Sequence, residues 1–471
     1  MELLHSLINA VNDVLWGKVL IALLLAVGLY FSLRSGLLQL RLFSRGWREM
    51  MGGRGGHVSK NDISPFQAFA TGLASRVGTG NIAGVAIAIA AGGPGAVFWM
   101  WLTALLGMSS AFVESTLAQL FKTSHHDDTF RGGPAYYIQK GLGLRWLGVL
   151  FALCLILAFG LVFNAVQANS IVAATEGAWG WNRYAVGVAL VLLTAPVIFG
   201  GVRSVARVAE WLVPGMALIY LLMAFYVLAI HAAELPGLVV LIVKSALGLE
   251  QAAGGVAGYA VSQAMMLGIK RGLFSNEAGM GSAPNAAATA TSKHPASQGA
   301  IQMFGVFIDT MVVCTATAAI ILLSGVHDQG LSGVALTQKA VESQFGPIGV
   351  SFLAVAMFLF AFSSILGNYA YAEGNVEFIR NNKRALLGFR LVVLAMVLFG
   401  ALASLPLVWD MADLAMGLMA LINLVAIVLL SRYFFTVLGD YQRQLKAGVA
   451  APEFKVDKYP ELAGKVEKGI W

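Results

Sequence analysis

Residues 74–84 read ASRVGTGNIAG and interrupt an apolar run, 64–90, that is otherwise long enough to cross a bilayer. Backbone at that depth can leave its helix only where protein encloses it or where it lines a cavity. A break here therefore predicts a binding site. Isolated glycines in such a run serve close helix packing, but Gly78 and Gly80 flank Thr79 and precede Asn81. That polar setting predicts a broken helix.

The rest of the chain supports a membrane setting. Of 471 residues, 58% are hydrophobic and 12% charged, the composition of a polytopic membrane protein. Apolar runs of spanning length recur about eleven times, at 14–33, 64–90, 95–121, 147–171, 184–200, 209–231, 254–285, 299–324, 347–379, 385–405 and 411–435. The first follows Glu2, His5 and Asp13 instead of a basic cluster, and reads as a retained helix, not a signal peptide. Cys154 and Cys314 both fall in apolar segments, which argues against a disulfide framework or a zinc cluster and for packing.

A net charge of +7 would suggest nucleic acid in a soluble protein; here its distribution between loops carries the information. Most of the 31 Lys and Arg residues fall in alternate connections, among them Arg34, Arg41, Arg45, Arg48, Arg54 and Lys60, then Lys122, Arg131, Lys140 and Arg145, and the tail. The opposite side keeps only Lys18, Arg183, Lys244 and Lys339. The asymmetry predicts the N-terminus outside and the C-terminus in the cytoplasm.

Residues 1–63 form an extra N-terminal helix and a cytosolic loop, 64–231 a first set of five spans, 254–437 a second set, and 438–471 a cytosolic tail with no expected chemistry. Sets of five have opposite orientation in the membrane. Each opens on a glycine-interrupted helix, the second reading GIKRGLFSNEAGMGS over 268–282. Such pairs in inverted halves mark a transporter site at the membrane midplane. Gly92, Gly93 and Gly95 beside Pro94 read instead as an outer turn.

At a break, freed amides of one half-helix attract carboxylates and freed carbonyls of the other attract cations. An amino acid is the simplest ligand to satisfy both. Phe163 and Gln167 share a helix face at i, i+4, so Gln167 either glues helices or touches a ligand. Ser363 and Ser364 either bond back to their own helix or offer a hard monovalent cation two oxygens facing the break; sodium is the expected ion, with no organic cofactor. Arg76, Glu114, Lys270, Arg271, Glu277, Asp309 and Glu373 are costly in hydrocarbon and are expected in the bundle interior or at its cytosolic mouth, in ion-paired gating or structural roles. The histidines lie at loops or helix ends, so no intramembrane catalytic set is visible and no enzymatic activity is expected.

Three long motifs make the chain recognisable. GGPGAVFWMWLTALLG (92–107), RVGTGNIAG (76–84) and KRGLFSNEAGMGSAP (270–284) resemble the characteristic stretches of the alanine/glycine:cation symporter family, over roughly residues 64 to 435. The resemblance implies an all-α polytopic membrane protein of the amino acid/polyamine/organocation superfamily, with a LeuT-type five-plus-five inverted repeat and one additional N-terminal helix. Its activity would be sodium-coupled import of alanine or glycine by alternating access, by a monomer in the plasma membrane, the inner membrane of a bacterium. VGTGN is also similar to the break of neurotransmitter:sodium symporters. Carried over by position, that similarity implies sodium at Ala74, Val77, Phe360, Ser363 and Ser364. It implies substrate contacts at Thr79, Gly80 and Asn81, at Met266, Gly268, Ile269 and Gly272 in the second break, and at Phe163, Gln167 and Asn368. Arg76 stands where those relatives contribute to a second sodium site, so one sodium is expected. Proton-coupled permeation on the same fold is the alternative reading, and an ion channel a remote one.

Overall fold

The computed structural model describes residues 2–52, 62–125, 129–249, 256–462 and 464–471. Arg54, His57, Lys60 and His126 lie outside the described residues. Those described are almost wholly helical; one short antiparallel pair joins Thr123–Ser124 to Phe130–Arg131.

Among the described residues, eight helices are long and apolar enough to cross a membrane, or up to nine if one bent pair counts as a single span. They are α1 (Ser6–Arg34), the bent pair α2 (Pro65–Arg76) and α3 (Gly80–Gly92), α4 (Gly95–Leu120), α5 (Arg145–Trp179), α7 (Gly201–Ile230), α9 (Pro295–Leu323), α10 (Pro347–Ile379), α11 (Lys383–Leu402) and α12 (Leu405–Leu429). The two other expected runs are also helical, as α6 (Arg183–Phe199) and α8 (Val256–Asn276), but do not pass the same test of length and apolarity. α6 is short at 17 residues.

α2 starts where its sequence says it should. Ser64 and Gln67 form a reciprocal capping box and Pro65 occupies the first turn, where its missing N–H costs nothing. α10 runs unbroken for 33 residues and lies against α2, α5 and α7, which places Ser363 and Ser364 opposite the end of α2.

After α13 (Ser431–Lys446) the tail folds back on the loops that join the spans. Glu467 accepts hydrogen bonds from Thr123 Oγ1 and from the Ser124 amide (3.0 Å) and pairs with Lys140 at 3.2 Å. Phe454 donates its amide to Lys293 O at 3.0 Å and packs edge-on against the His294 ring; Trp471 lies under the Lys122 ammonium. Burial alone would raise the Glu467 carboxyl, but the bonds from Thr123 and Ser124 and the Lys140 ammonium hold it below the usual carboxylate range.

Candidate functional site

α2 ends at Arg76 and α3 begins at Gly80, with a 46° bend between them. The break is wholly buried: Ala74, Val77, Thr79 and Asn81 are each 0% exposed. Its backbone groups find partners outside the helix. The Gly78 amide donates to Asn81 Oδ1 (2.8 Å) and the Thr79 amide to Gln167 Oε1 (3.0 Å). Gln167 therefore places an oxygen where the expected substrate carboxylate would place one.

On the other side, the last carbonyls of α2 face α10. Ser364 Oγ donates to Ala74 O at 2.9 Å and lies 3.1 Å from Phe360 O; Ser363 Oγ is 2.8 Å from Phe360 O and 3.4 Å from Ala74 O. Four oxygens from two helices thus converge within hydrogen-bond distance, joined by Met216 Sδ at 3.4 Å from Ser363 Oγ. Val77, the C-cap of α2, stands at the same break.

Aromatic rings close over Gly80. A side-chain carbon on Gly80 would come within 2.9 Å of Phe274, and Phe274 in turn packs against Phe163 and Trp409 at centroid separations of 4.6 and 4.7 Å. Phe163 and Gln167 are therefore brought to the break together, as their spacing predicts. Asn81 turns the other way: its amide donates to Asp309 Oδ1 at 2.7 Å, while Ser275 and Thr310 each reach Asp309 Oδ2 at 2.8 Å.

The second break lies in the last part of the 268–282 stretch read in the sequence, beyond the four positions expected to contact substrate. α8 continues through Met266, Gly268, Ile269 and Gly272 to Asn276 and only then gives way, at Glu277 (φ 60°), Gly279 (φ 86°) and Gly281 (φ 84°). Those four residues therefore belong to a continuous helix. Gly268 packs on the backbone of Ala96, with Trp99 Cβ 2.7 Å from where its own Cβ would stand, and Gly272 lies on Met100. Their spacing is the small-xxx-small pattern by which two helices approach, here α8 and α4. The real break is held by Glu114, which accepts from the Gly279 amide at 3.2 Å, and by Asn423, which donates to both Glu114 (2.8 Å) and Gly279 O (2.8 Å).

Asn368 sits in a buried row, hydrogen-bonded to Ser75 and Asn164. Arg76 sends its guanidinium to Gln302 O (3.2 Å), into a slot that exists because residue 305 is glycine: a Cβ there would stand 2.5 Å from Nη1. Lys270 and Arg271 both pair with Asp413, at 3.0 and 2.7 Å, and Arg271 lies over Trp409. Phe274, Ser275 and Trp409 were not singled out in the sequence. The first two lie within the quoted motif, and Trp409 carried no signal beyond being an aromatic in an apolar run.

The model of the sodium:alanine symporter family matches residues 1–456. A protein of Bacillus subtilis named as a probable sodium/glutamine symporter is 52% identical over 95% of this chain and 92% of its own length. A sodium/alanine symporter of Methanococcus maripaludis is 39% identical, over 90% of this chain and 94% of its own. A sodium/proton-dependent alanine carrier of Bacillus sp. PS3 is 38% identical over 86% and 93%. A buried helix break, a cluster of oxygens converging on it and this likeness over nearly all its length lead to one conclusion: the chain is a multi-pass membrane transporter belonging to the sodium:alanine symporter family.

Proposed function

We propose that the protein is a sodium-coupled symporter that imports a small neutral amino acid, alanine or glycine, by alternating access. The observation that carries this reading is the convergence of Ala74 O, Phe360 O and the Ser363 and Ser364 hydroxyls at the first break. Sodium takes these oxygens together with the Val77 carbonyl, and the hydroxyl hydrogens rotate away from the ion. The substrate docks at Thr79, Gly80 and Asn81, its carboxylate replacing Gln167 Oε1 on the freed amide, under Phe163 and Phe274. The close aromatic cover over Gly80 favours a short side chain over a long one. The helices act as a five-plus-five inverted repeat, N-terminus outside and C-terminus in the cytoplasm, as the loop charges indicate.

Sodium and substrate must stabilise the same occluded state for transport to be coupled. One elementary charge moving inward through 100 mV supplies about 2.3 kcal/mol before any concentration gradient. One sodium per substrate follows from Arg76 beside the break. Proteoliposome uptake of alanine, glycine and glutamine, each with and without a sodium gradient, tests the reading. Alanine or glycine uptake that collapses without sodium is the expected result; uptake driven by a pH gradient alone would overturn the sodium assignment in favour of proton coupling, and two sodium ions per substrate would overturn the stoichiometry.

A further inference from the structure

Five buried polar groups run in series from α5 to the second break, and their hydrogen atoms can be counted. At one end Gly160 O, a carbonyl, can only accept; Asn164 Nδ2 lies 3.0 Å from it. That fixes the orientation of Asn164, whose Oδ1 is then the group facing Asn368 Nδ2 at 3.1 Å. Asn368 is fixed in turn, and its Oδ1 faces Ser75 Oγ at 2.7 Å. Ser75 Oγ is also 2.7 Å from Glu277 Oε1.

A hydroxyl has one hydrogen to give. Asn368 Oδ1 has none, so Ser75 donates to it, and the second 2.7 Å contact needs a hydrogen between its two oxygens, which the carboxyl of Glu277 supplies; the nearby Tyr371 hydroxyl gives its own to Gly72 O at 3.2 Å. The alternatives fail on geometry. Turning Asn368 alone sets its oxygen against Asn164 Oδ1; turning both amides sets Asn164 Oδ1 against Gly160 O. One hydrogen cannot hold two acceptors both at 2.7 Å with good angles. The other carboxyl oxygen, Oε2, accepts from Ser282 Oγ at 2.7 Å, so a neutral Glu277 has both oxygens satisfied.

Charge balance points the same way. The charged groups facing Glu277 are Arg76 from α2 and Asp309 from α9, with the Tyr371 phenol from α10. Arg76 also faces Glu114 and Asp309. Arg76, Lys270 and Arg271 bring three positive charges against the four buried carboxyls of Glu114, Glu277, Asp309 and Asp413, so with all four ionised one negative charge is left unbalanced.

We propose that Glu277 is a reversible proton-binding site of the transport cycle, protonated in this conformation, where the proton on Oε1 pins α2 to the second break through Ser75. The inference rests on the alternating-access reading above. On opening, the Oε1–H bond breaks and the proton passes to water that reaches the separated breaks; the carboxylate left behind would compete with Asn368 for the Ser75 hydrogen. The proton therefore favours this closed arrangement, and by linkage the closed arrangement favours the proton.

The test is infrared spectroscopy of the purified full-length protein, beside the pH profile of sodium-driven uptake in proteoliposomes. The wild type should show a protonated-carboxyl C=O band that shifts in D2O; the band should be lost in Glu277→Gln, whose amide can donate to Ser75 and accept from Ser282, and uptake by that variant should lose its pH dependence. Ser75→Ala, which removes the acceptor of the proton, should move both the band and the pH midpoint, and serves if the glutamine variant does not fold. An unchanged band in both variants overturns the protonation. A lost band with an unchanged pH profile overturns the reversible role. The infrared readout needs no transport, so a protein that failed to move sodium or alanine would refute the symporter reading and leave the proton on Glu277 standing.

Discussion

Gly78→Ala is the substitution that most directly probes the first break. Gly78 is not among the residues held at positive φ, so a methyl group there acts by steric overlap and not by backbone strain. That methyl would fall on Ser364 Oγ, with Ser364 Cβ and Gln167 Oε1 each 3.0 Å away. Oγ can escape only by rotating about χ1, which takes it off Ala74 O and Phe360 O. Overpacking costs about 1–3 kcal/mol and each lost hydrogen bond about 1 kcal/mol, so the occluded arrangement loses roughly 3–5 kcal/mol. Part of this falls on the ion: losing one hydroxyl ligand worth about 1.5–3 kcal/mol raises the sodium half-saturation by about 10- to 100-fold. The assay is uptake of labelled alanine against external sodium at fixed membrane potential. Gly78→Ala combined with Ser364→Gly, which removes the overlapping atoms, should regain thermal stability but not sodium affinity. A wild-type sodium half-saturation in Gly78→Ala would refute the argument, because it would show that Ser364 can leave Ala74 O without consequence for the ion.

Two further outcomes are expected. Asp413→Asn leaves Lys270 and Arg271 buried opposite a neutral partner and should destabilise the protein by about 3–5 kcal/mol, read as a lower Tm in detergent, whereas Lys270→Met with Asp413→Asn should lose less than the single aspartate variant. His294 accepts the Ala296 amide at Nδ1 (3.1 Å) and donates from Nε2 to Asp440 (3.3 Å), so its ring is neutral, and burial pushes its pKa down to about 4 from 6.5. A base depressed in the folded state contributes stability that is present above pH 6.5 and is lost as pH falls through about 4. The amount is roughly 3 kcal/mol at 1.36 kcal/mol per pH unit. An acid-side fall in Tm between those values, absent in His294→Gln, is the expected result; the same fall in both proteins would refute it.

The first break was legible because glycine, threonine and asparagine crowded into an apolar run have no comfortable helical reading, and Phe163 with Gln167 was legible because i, i+4 spacing survives any tertiary arrangement. In the second stretch the expected contact positions fall short of the break for a physical reason. Gly268 and Gly272 look in sequence like Gly279 and Gly281, yet the first pair thins a continuous helix so that α4 can approach, and only the second pair adopts positive φ. Neighbouring residues do not distinguish packing glycines from unwinding ones; the partner helix does. Glu114 and Asn423, which hold that break open, are separated by 309 positions, and nothing local ties them. The packing of the tail was not legible in its composition: Phe454, Leu462 and Trp471, three residues among its lysines and glutamates, anchor it among the loops.

Arg76 belongs to the same physical problem as the sodium. A helix that ends inside the membrane leaves carbonyl dipoles directed at no partner, with partial negative charge at its C-terminus. α2 meets this on two faces. Toward α10, Ala74 O faces the two serine hydroxyls, a set that a mobile cation can occupy and leave. Toward α9, the last helical residue supplies a permanent cation whose guanidinium reaches Gln302 O through the gap at Gly305. Between them, Ser75 ties the same turn to Glu277. A fixed charge, the proposed sodium and the proposed proton thus bear on three successive residues of one helix end, Arg76, Ala74 and Ser75. If the fixed charge only neutralised the dipole, Arg76→Lys would preserve function. Because the slot at Gly305 is shaped to a planar guanidinium and three carboxyls face it, the lysine variant should instead lose transport while still inserting and folding, and a fully active Arg76→Lys protein would reduce Arg76 to a helix-capping charge.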